Sequence, residues 1–339
     1  MKDQFGRTID YLRISITDRC NLRCRYCMPY GISCVPMRDI LTMEEIVRIA
    51  SLGAKLGIRK IKVTGGEPLV RKGCCDLIRM LKAVPGIEQV TMTTNGILLE
   101  EHLGELLAAG IDGINISLDT LDPVLYRGLT GGGELEAVLR PLVYLAENTA
   151  VPVKVNAVSM NLKAAAEKLG CLYGGQGWRE LLALARVLPV DVRFIEMMPI
   201  GYGKDFDTIS HQELLENLRR EYPGLKADSR THGNGPAVYY QIPGYRGSIG
   251  LISAIHGKFC SSCNRVRLTA QGYLKGCLSF DSGADLRRIL RDDGRMTEEE
   301  RDETLLAALR RGIVKKPQAH CFEHPEEMTE HRDMVQIGG

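Results

Sequence analysis

Cys20, Cys24 and Cys27 stand in the string DRCNLRCRYC, directly after a short apolar run that reads as a strand. Three thiolates at this spacing can fill three corners of a four-iron cluster. The fourth iron then has no protein ligand, which is what a cluster needs in order to bind and reduce a small molecule. A structural zinc site wants four ligands, usually as cysteine pairs joined by a dozen or more residues, and no second pair lies near this loop. A disulfide would leave one of the three sulfurs over. The spacing therefore points to an open iron–sulfur cluster.

Cys260, Cys263 and Cys277 form a second group, a C-x2-C pair and one more cysteine after thirteen intervening residues. Here zinc is a stronger rival, because His256 or Cys321 could complete a tetrahedral set. Between these cysteines lies NRVRLT, in which strand alternation sends Arg265 and Arg267 to one face. Two guanidinium groups beside an open iron suit a polyanion such as a nucleoside triphosphate. The bland alternative is a solvated arginine pair on an edge strand.

Other chemistry-bearing residues sit at strand ends. In GGEP, Gly65 and Gly66 let backbone come close to an amino-acid-like ligand, although Gly-Gly before Pro is also an ordinary tight turn. Tyr26 can lie against an adenine or simply pack within its loop. Ser117 and Asp119 in SLD can reach ribose or carboxylate groups or cap the next turn, and Met198 can be a contact or core filler. Arg13, Lys62 and Lys154 are basic residues inside apolar strands. Pointing inward, they would line a chamber for an anionic substrate, and the alternation favours this for Arg13 and Lys154. The chain ends in VQIGG, a sequence that ordinarily frays.

Elements that could position these residues are visible in the periodicity. A β-rich run followed by a helix-periodic run recurs six times between residue 10 and about 200, the pattern of a parallel sheet. Strands are predicted at 11–16, 59–64, 88–94, 113–118, 151–158 and 191–197. Helices are predicted near 42–56, 74–83, 99–109, 134–147 and 164–188, the last interrupted by YGGQGW. The cysteine loop, GGEP, TTNG, SLD, Lys154 with Asn156, and EMMP are all expected at one rim, as in parallel α/β barrels. Six units predict an α/β fold, a partial (β/α)6 TIM-type barrel over residues 1–205. A C-terminal α+β region, 206–339, is expected to close its open side. The chain has 339 residues, 25% of them charged, and a net charge of +2, so no global field draws it to nucleic acid or membrane. No apolar run reaches transmembrane length, eleven cysteines mostly fall in tight groups or read as buried thiols, and a cytoplasmic location is expected.

FGRTIDYLRISITDRCNLRCRYCMP, TGGEPLVRK, TTNG, SLDTLDP, VDVRFIEMMPIG, FCSSCNRVRLT and the terminal GG run nearly end to end. Together they resemble the GTP 3',8-cyclase family of molybdenum cofactor biosynthesis, within the radical S-adenosylmethionine superfamily. The resemblance implies two [4Fe-4S] clusters, one on Cys20, Cys24 and Cys27 and one on Cys260, Cys263 and Cys277. It implies S-adenosylmethionine as cosubstrate beside Tyr26, Gly66, Ser117 and Met198. GTP would meet Arg13, Lys62, Thr93, Lys154, Arg265 and Arg267, with Arg265, Arg267, Gly338 and Gly339 at the reacting centre. An external electron donor, cyclic pyranopterin monophosphate synthase as the next enzyme, and a homodimer are further expectations. Lys62 departs from the family pattern, which has arginine there, and 161–178 is longer than usual. The rival readings are a peptide-modifying radical enzyme, which would carry a longer cysteine-rich C-terminal domain, and a zinc-bearing nucleic-acid-binding protein, against which the near-neutral charge speaks.

Overall fold

The computed structural model describes residues 1–292 and 294–337. Its first two-thirds alternate strand and helix: β1 (Tyr11–Ser15), α1 (Met43–Lys55), β2 (Lys60–Thr64), α2 (Cys74–Lys82), β3 (Gln89–Thr94), α3 (Leu99–Ala108), β4 (Ile114–Ser117), α4 (Pro123–Thr130), α5 (Leu135–Asn148), β5 (Val153–Val158), α6 (Leu162–Leu169), α7 (Trp178–Val187) and β6 (Asp191–Ile195). All six predicted strands are present, each within two residues of its expected ends. The helix expected over 164–188 is two helices, because Gly170 closes α6 in the left-handed region at φ 64°. Sequence reasoning missed α4, whose signals are an Asp122 side chain capping Leu125 N–H, Pro123 in the first turn and Gly131 at its end.

The C-terminal region adds α8 (His211–Glu221), β7 (Lys226–Ala227), β8 (Val238–Gln241), β9 (Ile249–Ile252), β10 (Arg265–Leu268), β11 (Tyr273–Lys275), β12 (Gly283–Asp285), α9 (Leu286–Leu290) and α10 (Glu298–Val314). All twelve strands form one sheet in the order β12-β11-β10-β1-β2-β3-β4-β5-β6-β9-β8-β7. The C-terminal region thus extends the barrel wall at both edges. β10 pairs parallel to β1, β9 pairs parallel to β6, and antiparallel strands continue outward on each side.

Side-chain alternation splits this wall into two chemistries. Leu12, Ile14, Ile61, Val63, Val90, Met92 and Val155 belong to the buried apolar core, and each such side chain contributes about 1.5–3 kcal/mol. The intervening positions Arg13, Lys62, Thr91, Thr93, Asn115 and Lys154 face the barrel axis, where they line a cavity of about 860 Å³. A TIM-type barrel normally fills its interior with branched apolar residues. Polar side chains on this face leave room for a ligand instead.

Candidate active site

Above the C-terminal end of β1, the cysteine loop is held by neighbouring backbone. Arg23 N–H donates to Thr130 O, Arg25 N–H to Leu129 O, and both Cys27 and Met28 N–H to Cys24 O. The segment leading into it, Thr17–Arg19, is pressed against the turn after β2: Gly66 N–H donates to Thr17 O at 2.7 Å and Glu67 N–H to Arg19 O at 2.8 Å. A Cβ on Gly65 would stand 2.7 Å from Thr17 O, and one on Gly66 would overlap the Arg19 carbonyl. The glycine pair is therefore required by this close backbone packing as well as by its place on the cavity wall.

Glu67 ties the same turn to β3. Its carboxylate accepts from Leu69 N–H (3.1 Å), Thr94 Oγ1 (2.8 Å) and Asn95 N–H (2.7 Å), while burial raises its pKa to about 7. Asn95 Nδ2 in turn lies 3.7 Å from Cys20 Sγ and 2.8 Å from Asn21 Oδ1. Glu67 and Asn95 lie in the quoted motifs GGEP and TTNG, but neither was singled out from sequence. Tyr26 donates to Asp119 Oδ2 at 2.7 Å and meets Phe206 edge-on. Asp119 also accepts from Val158 N–H at the end of β5, so one carboxylate joins the segment after β4 to β5 and to the cysteine loop. Tyr26, Gly66, Ser117 and Met198 all line this end of the cavity, so loop packing and cavity lining coexist at Tyr26.

Cys260 and Cys263 lie in the segment that crosses from β9 to β10, just before β10 begins. β11 runs antiparallel to β10, so Cys277, two residues past its end, returns to the same place. This second triplet is therefore at the N-terminal end of the parallel strands, opposite the first. Arg7, a residue sequence reasoning passed over, anchors it: the guanidinium donates to Cys260 O (2.8 Å), Gln318 O (2.7 Å) and Pro317 O (2.6 Å) while paired to Asp3. His256, one of the two candidate zinc ligands, is 75% exposed with Nδ1 3.0 Å from Glu196, and the other, Cys321, bonds Ser279.

Each triplet offers three sulfur donors, a set that an iron–sulfur cluster or a zinc ion would accept. Burial pushes the thiols of Cys20 and Cys24 up and that of Cys27 to about 12, and neighbouring cysteines add to it at Cys24 and Cys27. At the second triplet burial raises Cys263 too, but Lys316 and Arg265 outweigh it and hold the thiol below its usual value. A tetrahedral zinc would draw its sulfurs to roughly 3.8 Å apart. Among the described residues, neither triplet gathers its sulfurs within 4.8 Å of one another.

Between the two ends, register places the wall's charges in rows. Arg267, Arg13, Lys62 and Thr91 are successive partners across β10, β1, β2 and β3. Thr93, Asn115, Lys154 and Asp191 are successive partners across β3 to β6. Burial first, then Arg265 and Arg193, lower Arg13 to about 10, and burial with Arg193 and Arg13 holds Lys62 well below the usual lysine range. Lys62 thus points inward with the others. Lys154 pairs with Asp191 at 3.2 Å near the start of β5, in the half of the barrel nearer the second triplet, and not at the rim where it was expected. Arg193, held by Asn156 Oδ1 through Nε (2.9 Å) and Nη2 (2.5 Å), is a further cation of the wall that sequence reasoning did not single out; its signal was strand alternation within DVRFIEM. The calls on Gly338 and Gly339 lie outside the described residues. The tail before them reaches the first triplet, where the Val335 backbone bonds the Cys27 sulfur and Ile337 is fully buried.

A sequence model of the Radical SAM superfamily matches residues 14–168, and one described as Molybdenum Cofactor Synthesis C matches residues 190–322. GTP 3',8-cyclase of Clostridium perfringens (strain SM101 / Type A) is 41% identical over the whole of both chains. GTP 3',8-cyclase of Peptoclostridium acidaminophilum is 42% identical over 99% of this chain and 98% of its own. The chain belongs to the GTP 3',8-cyclase family. Among solved structures, Streptococcus suis SuiB bound to S-adenosylmethionine superposes with a TM-score of 0.60 at 15% identity, covering 97% of this chain and 77% of SuiB, a likeness of fold. In this chain the two cysteine triplets border one cavity, at opposite ends of the parallel strands.

Proposed function

We propose that this chain converts GTP to 3',8-cyclo-7,8-dihydro-GTP, the first step of molybdenum cofactor biosynthesis, with GTP held between two [4Fe-4S] clusters. The single observation that carries the reading is the row of cations lying between two cysteine triplets on one cavity. When bound, the first cluster with S-adenosylmethionine would supply one-electron reduction and hydrogen-atom abstraction, and the second would supply a Lewis-acidic iron.

Cys20, Cys24 and Cys27 hold the first cluster, and Tyr26, Gly66, Ser117 and Met198 border the cosubstrate beside it. Cys260, Cys263 and Cys277 hold the second. Arg13, Arg265 and Arg267 take the triphosphate, whose charge offsets their mutual repulsion, and Lys62 adds a point charge where family members carry an arginine fork. Thr93 and Lys154 orient the nucleoside from the opposite wall. Fixing the ribose against the first cluster and excluding water are the protein's contributions to rate. In this division residues 1–205 generate the radical and 206–339 receive the base. The reaction draws on an external one-electron donor, and its product passes to cyclic pyranopterin monophosphate synthase in the cytoplasm. Among the described residues no helix is long and apolar enough to cross a membrane.

Anaerobic reconstitution tests the reading. About eight irons per chain and 5'-deoxyadenosine formation that depends on GTP support it. Four irons per chain, or turnover indifferent to GTP, would overturn it.

A further inference from the structure

On the helix side of the sheet, α2 and α3 lie side by side. Cys75 sits in the first turn of α2, and His102 and Glu105 are one turn apart on α3, so both project from the same helix face. None of the three lines the cavity. One ligand atom from each residue, a sulfur, a ring nitrogen and a carboxylate oxygen, lies within 4.8 Å of the other two. His102 Nδ1 and Glu105 Oε2 are 3.8 Å apart. Zinc bonds of about 2.0–2.3 Å set tetrahedral ligands roughly 3.3–3.8 Å from one another, so small rotamer movements would close the set. Among the described residues no other group of three such ligands is this tight.

The donor types agree with the geometry. Sulfur, imidazole and carboxylate are all zinc ligands, and a thiolate with a carboxylate neutralises a divalent ion. The Cys75 thiol is hydrogen-bonded to Glu105, so a proton now stands where the ion would sit. Cys75 is buried, while the side chains of His102 and Glu105 are 34% and 68% exposed, which leaves a solvent side for entry and for a water ligand.

We propose that Cys75, His102 and Glu105 bind one Zn²⁺ ion, with water as fourth ligand, as a staple between α2 and α3. These helices follow the strands that carry the Gly65–Gly66 turn and Asn95, so the ion stiffens the outer supports of the first cysteine loop.

The test uses the full chain after anaerobic iron–sulfur reconstitution, incubated with Zn²⁺ and washed with a weak chelator. The expected result is one zinc per chain beyond an unchanged iron content, and a higher melting temperature with zinc than without. His102→Ala, a surface change that leaves the packing of Cys75 intact, should lose both the zinc and the rise in melting temperature while keeping its iron. Glu105→Ala should weaken zinc retention in the same direction. The proposal is overturned if the unaltered chain retains no zinc, if His102→Ala retains as much as the unaltered chain, or if zinc enters only as iron leaves.

Discussion

Arg13 and Arg267 are Cα partners across the β1–β10 ladder, and Lys62 partners Arg13 on its other side. Like charges directly opposite one another destabilise a sheet, and here Lys62 is buried and the two arginines are half-buried. A triphosphate relieves that repulsion, so GTP should stabilise the fold strongly. At about 100 times its Kd the gain is about 2.7 kcal/mol, read as a rise in melting temperature. Guanosine should give far less at the same concentration, and added salt should erode the GTP effect; equal shifts from the two ligands would contradict the assignment of this row to phosphate.

Lys62 gives this row a pH dependence. Burial, then Arg193 and Arg13, hold its ammonium group well below the usual range, whereas in the unfolded chain it keeps its proton to higher pH. Between those two values the unfolded chain binds more protons, so raising pH through the lowered pKa stabilises the ligand-free fold. Lys62→Met should flatten that rise and weaken GTP binding by about 1.5–3 kcal/mol, the range for a hydrogen bond to a charged group. Denaturation curves across pH and a GTP titration measure the two effects; an unchanged pH slope would remove Lys62 as its source.

Asn95 Nδ2 beside Cys20 Sγ is placed to stabilise the more negative, reduced state of a cluster bound there. Asn95→Ala should retain iron but shift the first cluster to a lower reduction potential. Redox titration followed by electron paramagnetic resonance reads this directly, and an unmoved potential would reduce Asn95 to loop packing.

Gly66→Ala places a methyl group onto the Arg19 carbonyl, one residue before Cys20. Displacing that segment should cost about 1–3 kcal/mol, the range for overpacking, and should reduce iron at the first site in preference to the second. Iron content together with thermal denaturation distinguishes this from a harmless turn substitution.

Arg7→Ala has the complementary effect. It removes the donor that joins Cys260 O, Pro317 O and Gln318 O and leaves Asp3 buried without its partner. A loss of about 3–5 kcal/mol is expected, with the second cluster occupied less than the first. Equal loss of both clusters would mean that Arg7 supports the whole fold and not one loop.

The strands were legible because parallel strands are long apolar runs bounded by turn residues, and the cysteine spacing was legible because ligand geometry is local. Harder to see was which end of a strand a residue occupies: Lys154 lies second in β5, and only the register with Asp191 places it low in the barrel. Arg7 and Glu67 escaped notice because most of their partners are backbone atoms, remote in sequence for Arg7, which no spacing announces. The opposed positions of the two triplets also depend on β10 pairing with β1, a contact between residues some 250 apart.

β1 is five residues long, with one triplet past its last residue and the other beside its first. At about 3.3 Å per residue the strand spans about 16 Å. Strand length here acts as a gauge. A molecule that touches both ends at once must be about as long as a nucleotide, and smaller purines fall short whatever their charge. Size selection is thereby set by the backbone, leaving the side chains free to tune chemistry.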